Sequence, residues 1–223
     1  MKLAISGASG KTGYRIAEEA LKKGIRPKLL IRNNSVLPDS LANEESITVS
    51  LNNPNSLDSA LCGCEVLIIA TGARPGIDLT GPAKIDACGV RNQIEACKRN
   101  NVSRIILISS LCTGRLLHPL NLFGLILIWK RLGESFLEKS GLDWTIIRPG
   151  GLNEEEDKLS TQGILFTSKD SQEKGYIPRR LLAQACIESL STPTSIGKII
   201  EITSNEDTEL NSMEKALASF TMS

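Results

Sequence analysis

Glycine stands at positions 7, 10 and 13 of one short run, Gly7-Ala8-Ser9-Gly10-Lys11-Thr12-Gly13. The run follows residues 2–6, whose Leu3-Ala4-Ile5 centre reads as a strand, and precedes residues 14–23, which read as a helix. Nothing else in the chain constrains the fold as much. The first glycine permits a tight turn, the second lets backbone approach a pyrophosphate, and the third lets helix and strand pack closely. The unpaired N–H groups at the start of the helix then favour an anion. Glycine also marks ordinary turns, so the meaning comes from the strand-to-helix context. Read this way, Gly7, Ala8, Ser9, Gly10, Lys11, Thr12 and Gly13 form a dinucleotide cradle.

Downstream the pattern keeps alternating. Apolar runs at 28–31, 47–51, 65–70, 104–109 and 144–147 read as strands, with 198–202 as a late edge strand. Val66-Leu67-Ile68-Ile69 and Ile105-Ile106-Leu107-Ile108 are continuous, as expected of strands buried on both faces. Helices are predicted over 12–23, 56–61, about 83–100, about 123–140, 179–190 and 207–220. Strands alternating with helices imply right-handed crossovers and a parallel sheet. The expectation is an α/β doubly wound parallel sheet, one domain over residues 1–223 with a small C-terminal elaboration. The polar block 153–158 reads as a solvated loop.

Composition excludes some functions. Lys and Arg number 26 against 25 Asp and Glu, so no net field favours nucleic acid or an anionic membrane. Aromatic residues are 4%, too few for a base-stacking platform. The glycine run starts so early that no room is left for a cleaved signal ahead of it. Six cysteines and one histidine, with Cys62 and Cys64 the only close pair, predict reduced thiols and no metal site. The apolar stretch 116–129 is too short for a bilayer span. It is expected to be buried or substrate-facing, with docking of a membrane or protein partner as the alternative. A cytoplasmic location follows from these features.

The residue that ends the second strand usually selects the dinucleotide. An acid there would accept from the adenosine ribose 2′-hydroxyl. Here it is Arg32, whose guanidinium suits a 2′-phosphate, with Ser9 and Lys11 able to reach the same group. NADP(H) is therefore expected over NAD(H). Asn52, after the third strand, is a candidate for the adenine edge. Ala70, Thr71 and Gly72 end the fourth strand, and their small side chains leave space for a cofactor.

These pieces together resemble the atypical short-chain dehydrogenase/reductase superfamily, in its NmrA-like and Tic62-like neighbourhood of plants and cyanobacteria. The resemblance rests on the glycine run, Leu30-Ile31-Arg32, residues 86–96, Ile106-Leu107-Ile108-Ser109-Ser110, Trp129-Lys130-Arg131, residues 144–152 and Ile177-Pro178-Arg179. It implies a Rossmann-like fold with about seven strands. It also implies that Pro149, Gly150, Gly151 and Leu152 line the nicotinamide side, and that the compartment is a cyanobacterial cytosol or plastid-like.

Short-chain reductases usually carry Ser, Tyr and Lys, with Tyr four residues before Lys. The Tyr exchanges a proton with the substrate oxygen, and the Lys lowers its pKa and bonds the nicotinamide ribose. Lys130 lies in the expected helix, but Ile126 stands where the Tyr would be. Ser109 or Ser110 fits the Ser place. Of the two tyrosines, Tyr14 belongs to the glycine-loop helix and Tyr176 lies far downstream, and neither has the required spacing. Ordinary ketone chemistry is thereby disfavoured. Three options remain: hydride transfer to a quinone, flavin or tetrapyrrole, with water or Lys130 handling the proton; cofactor binding without turnover, for regulation or assembly; and acid catalysis by His118, the sole histidine.

Overall fold

The computed structural model describes residues 1–73 and 79–220. Their centre is an eight-stranded sheet in the order β3-β2-β1-β4-β5-β6-β10-β8. Its strands are β1 (Leu3–Ser6), β2 (Lys28–Ile31), β3 (Ser46–Thr48), β4 (Val66–Ile69), β5 (Arg104–Ile108), β6 (Asp143–Pro149), β8 (Gly163–Ser168) and β10 (Lys198–Asn205). All pair in parallel except β8, which runs antiparallel to β10. Chain order reverses between β1 and β4, and the crevice at such a switch point is where open α/β sheets bind ligands.

The continuous apolar runs do become the buried strands: every residue of β1, β4 and β5 is buried. One face of the sheet is covered by α1 (Gly13–Lys22), α5 (Arg179–Glu188) and α6 (Met213–Ser219), through Ile16, Ala17, Leu182 and Leu217. The other is covered by α2 (Pro54–Leu61), α3 (Val90–Arg99) and α4 (Ile126–Glu138), through Leu57, Ile94 and Leu137. Each fully buried Ile or Leu contributes roughly 1.5–3 kcal/mol, so the layered core fixes the sheet edge on which the site sits.

Several boundaries differ from the sequence reading. The helix expected from 83 begins as a π-helical turn, Ala83–Gly89, before α3 takes over. The helix expected from 123 begins at Ile126, because Gly124 and Leu125 hold φ at +81° and +57°. The C-terminal helix starts only at Met213, where the Ser212 side chain accepts from the Lys215 N–H at 3.3 Å. The strand expected at the edge, β10, is not the edge, since β8 pairs along its outer side. A two-stranded second sheet, β7 (Gly151–Asn153) with β9 (Tyr176–Pro178), forms the C-terminal elaboration.

Candidate functional site

At the carboxyl end of β1 the chain turns at Gly7, with φ +80°. A Cβ added there would lie 3.0 Å from the backbone of Ala70 and Thr71, and one added at Gly13 would lie 2.1 Å from the Gly7 carbonyl oxygen. Both positions therefore need glycine. The N–H groups of Gly7 and Ala8 donate to the Leu30 carbonyl at 3.0 and 3.2 Å, and Gly10 N–H donates to Gly7 at 2.9 Å. Among the described residues, the N–H groups of Ser9, Lys11 and Thr12 find no acceptor. Thr12, at the start of α1, makes no side-chain cap. Ser6 Oγ and Thr71 Oγ1, on either side of the switch point, are buried and have no partner among the described residues. Free donors at a helix start, no room for a Cβ and unpartnered hydroxyls together fit a bound pyrophosphate.

Arg32 and Asn52 follow β2 and β3 on the same edge and are exposed, and no side-chain bond engages either among the described residues. Lys11 is placed differently from the expectation. Its ammonium is ion-paired with Glu154, not directed with Arg32 at one spot. The block 153–158 is correspondingly not just a solvated loop. The Arg15 Nε donates to Glu156 at 2.5 Å and Arg180 Nε to the same carboxylate at 3.2 Å, which straps the block across α1 and α5. The hydrogen bond from Lys11 holds the Glu154 carboxyl below its ordinary range.

On the other side of the crevice stands Lys130, in α4. Its Nζ lies 2.8 Å from Asp86 Oδ1, with 14% and 2% of the two side chains exposed. Asp86 Oδ2 accepts the Ala73 N–H at 3.2 Å. A Cβ added to Gly72 would meet both Lys130 Nζ at 3.6 Å and Asp86 Oδ1 at 3.7 Å. The structure thus brings Ala70, Thr71, Gly72 and Lys130 to one place. The sequence reading missed Asp86. Its signal was an ionisable residue just ahead of the apolar face of α3.

Ser109 is buried, its Oγ 3.3 Å from Thr113 Oγ1, and the Ser110 carbonyl accepts from that Thr113 hydroxyl at 2.5 Å. His118 lies in the loop that follows, where Nδ1 accepts the Leu120 N–H at 3.3 Å. Ile126 is buried and carries no proton to give. The stretch 116–129 is only partly buried, which departs from the buried alternative of the expectation. Ile126 and Leu127 are inside, whereas Leu116, Leu117, Leu122 and Phe123 are exposed, Leu117 at 97%.

Pro149 closes β6, and Gly150 N–H donates to Ile202 at 2.9 Å. Gly151 lies under the Tyr176 ring, where an added Cβ would be 2.5 Å from the ring edge. Leu152 packs toward the core. Pairing of β7 with β9 thus brings Tyr176, distant in sequence, onto the segment 149–152. The six cysteines are free thiols, and burial raises Cys97 and Cys186 above the ordinary thiol value.

A glycine cradle at the switch point of such a sheet defines a dinucleotide-binding protein of the Rossmann class. Residues 7–193 match the NAD(P)H-binding family, and the chain belongs to it. It is 32% identical to the uncharacterized chloroplastic protein At2g34460 of Arabidopsis thaliana, over 98% of this chain and 82% of that protein. It is 30% identical to the chloroplastic protein TIC 62 of the same plant, over 96% of this chain but 37% of that longer protein. It is 28% identical to sanguinarine reductase of Eschscholzia californica, over 91% of this chain and 89% of that one. A putative NAD-dependent epimerase/dehydratase from Bacillus halodurans superposes with a TM-score of 0.85 at 25% identity, over 98% and 99% of the two chains.

Proposed function

We propose that the protein is an NADPH-dependent reductase of the atypical short-chain type, acting on a flat, largely apolar acceptor of the quinone, flavin or tetrapyrrole class. One observation carries the reading: Lys130 is fixed by Asp86 at Gly72, across the crevice from the glycine cradle, with no phenol at the Ile126 position. In this reading the free N–H groups of Ser9, Lys11 and Thr12 hold the pyrophosphate. Arg32 holds the 2′-phosphate, with Ser9 beside it and Lys11 joining when it leaves Glu154. Asn52 meets the adenine, and the small residues Ala70, Thr71 and Gly72 leave space for the cofactor. Lys130 bonds the nicotinamide ribose, and Pro149 to Leu152 back the ring. NADPH supplies the hydride when bound.

Ser109 or Ser110 orients an acceptor atom, and water or the Lys130 ammonium gives the proton. The Nδ1 of His118 is engaged by its own loop, which leaves only Nε2 for that task. Acceptors that stabilise the added electrons by delocalisation need no positioned phenol, which suits the Ile126 site. Relatives called chloroplastic favour a plastid-like compartment for this chain, and no helix among the described residues is long and apolar enough to cross a membrane.

A second reading is an NADPH-bound regulatory or assembly factor without turnover. The exposed Leu116, Leu117, Leu122 and Phe123 favour it, because a patch of this kind suits a protein partner. NADPH oxidation followed at 340 nm with menadione, riboflavin and biliverdin separates the two. Turnover with any of them supports the reductase. Tight NADPH binding without turnover supports the factor. Arg32→Ala is expected to weaken NADPH binding roughly ten- to a hundredfold, the scale of a lost charge-assisted bond, and to leave NADH binding unchanged. Equal losses for the two nucleotides would remove Arg32 from the 2′-phosphate.

A further inference from the structure

Asp86 is a carboxylate in an expensive place. Its side chain is 2% exposed and, among the described residues, has one cationic partner, Lys130 at 2.8 Å. A buried ion pair is seldom the most stable filling for a core, and apolar side chains of similar size often do as well or better. Stability alone therefore does not explain the pair.

The surrounding backbone is shaped around it. Asp86 sits in the middle of the π-helical turn, a wider coil that recurs at functional sites and here precedes α3 directly. Helix α4 meets this turn backbone to backbone. A Cβ added at Gly133 would lie 2.2 Å from the Asp86 carbonyl oxygen. Gly133 is three residues, almost one helical turn, beyond Lys130, so the same face of α4 carries the contact and the lysine. The second oxygen of Asp86 accepts the Ala73 N–H, which ties the stretch just after β4 to the same carboxylate.

We infer that Asp86 is the positioning residue of Lys130, with Gly133 setting the distance between their elements. The carboxylate aims the ammonium at the loop 71–73 and holds that loop in step with it. Asp86 does not touch the cofactor and acts only through Lys130. The inference rests on the reading that Lys130 meets bound NADPH.

The test is a double-mutant cycle on the full chain, read as NADPH affinity by fluorescence titration. Asp86→Asn is expected to weaken binding by roughly tenfold, as Lys130→Met does, on the scale of one charge-assisted bond. In the Lys130→Met background Asp86→Asn is expected to add almost nothing, because partners in one interaction are not additive. Asp86→Glu, which keeps the charge, is expected to recover part of the loss. An affinity unchanged in Asp86→Asn, or equal losses with and without Lys130, overturns the inference.

A second readout needs no cofactor. Acylation of Lys130, followed by mass spectrometry, is expected to be faster in Asp86→Asn than in the wild-type protein, with other lysines unchanged. Should wild-type protein not bind NADPH at all, the functional reading falls, while the labelling still decides whether Asp86 holds Lys130. Unchanged labelling sinks the pair as a positioning device. If Asp86→Asn does not fold, Asp86→Glu and Gly133→Ala carry the same two measurements. Each displaces the carboxylate relative to Nζ, and unaltered affinity and labelling in both count against the inference.

Discussion

Two arginines are buried in adjacent strands, at opposite ends of the sheet. Arg148 lies near the end of β6 and is fully buried. Its Nε and Nη2 donate to the two oxygens of Glu134 at 2.9 and 2.8 Å, and its Nη1 donates to Asp170 at 2.8 Å and Glu201 at 3.3 Å. Glu201 in turn accepts the N–H groups of Asp170, Ser171 and Gln172 at 3.0, 3.0 and 2.8 Å. Arg104 opens β5 and is also buried, yet among the described residues no carboxylate bonds it. Its Nη2 donates to the Thr145 and Ser195 hydroxyls at 2.5 and 3.1 Å, while Nη1 has no partner. Burial lowers the Arg104 guanidinium below its ordinary value, opposed by Asp143, whereas the carboxylates around Arg148 outweigh burial and raise it. Charge is compensated at the carboxyl edge, where the crevice lies, and left partly unmet at the far edge. Glu134 is also one turn beyond Lys130 on α4, so the Arg148 cluster fastens the helix that carries the lysine to the strand that leads into residues 149–152.

Removing the compensated arginine is expected to have the largest effect. Arg148→Met strips the buried Glu134 and Glu201 carboxylates of the guanidinium they share and leaves Glu134 only the 3.3 Å contact to the partly exposed Arg131. Breaking a buried pair in this way costs about 3–5 kcal/mol. Urea unfolding is expected to show that loss, and NADPH affinity is expected to fall with it as α4 loosens. A loss below about 1 kcal/mol would mean that the cluster holds little. Arg104→Met sharpens the contrast. It gives up two bonds to hydroxyls but also removes a desolvated charge and an unbonded nitrogen. Its expected effect is within about 1 kcal/mol of zero, with NADPH affinity unchanged. Equal destabilisation by the two variants breaks the comparison.

The same contrast explains what could be read in the chain before its fold. Glycines at 7, 10 and 13 and the unbroken runs of β4 and β5 carry local signals: turn chemistry, and burial on both faces. From these the cradle, the parallel sheet and the place of Arg32 were legible. The Arg148 cluster was not, because its partners come from α4, β10 and a loop that no local pattern joins. Asp86 and Lys130 are likewise separated by α3 and β5, and the π-helical turn that aims Asp86 interrupts the period of an α-helix. Leu125 takes a left-handed φ that its side chain gives no reason to expect. β7 and β9 are three residues each and form only by pairing with one another, so Tyr176 looked remote from Gly151.

A third set of charges, outside the core, is expected to have the smallest effect. Glu156 joins Arg15 and Arg180 in a strap across α1 and α5, with a third of its side chain exposed. Burial pushes its carboxyl up, but the hydrogen bonds from the two guanidinium groups outweigh this, and the net shift is down from 4.5. A carboxyl depressed in the folded state adds stability above its unfolded value and loses that contribution as pH falls through the folded value. The stability difference between wild type and Glu156→Gln is therefore expected to be level near neutral pH and to shrink as pH drops below about 4.5. At neutral pH it is expected to be about 1 kcal/mol or less and to decline with added salt, as for solvent-screened pairs. Arg148 is shielded from solvent, so the loss in Arg148→Met is expected to be nearly indifferent to salt. Were both variants to respond to salt alike, the distinction between a buried, fully bonded cluster and a screened strap would not hold.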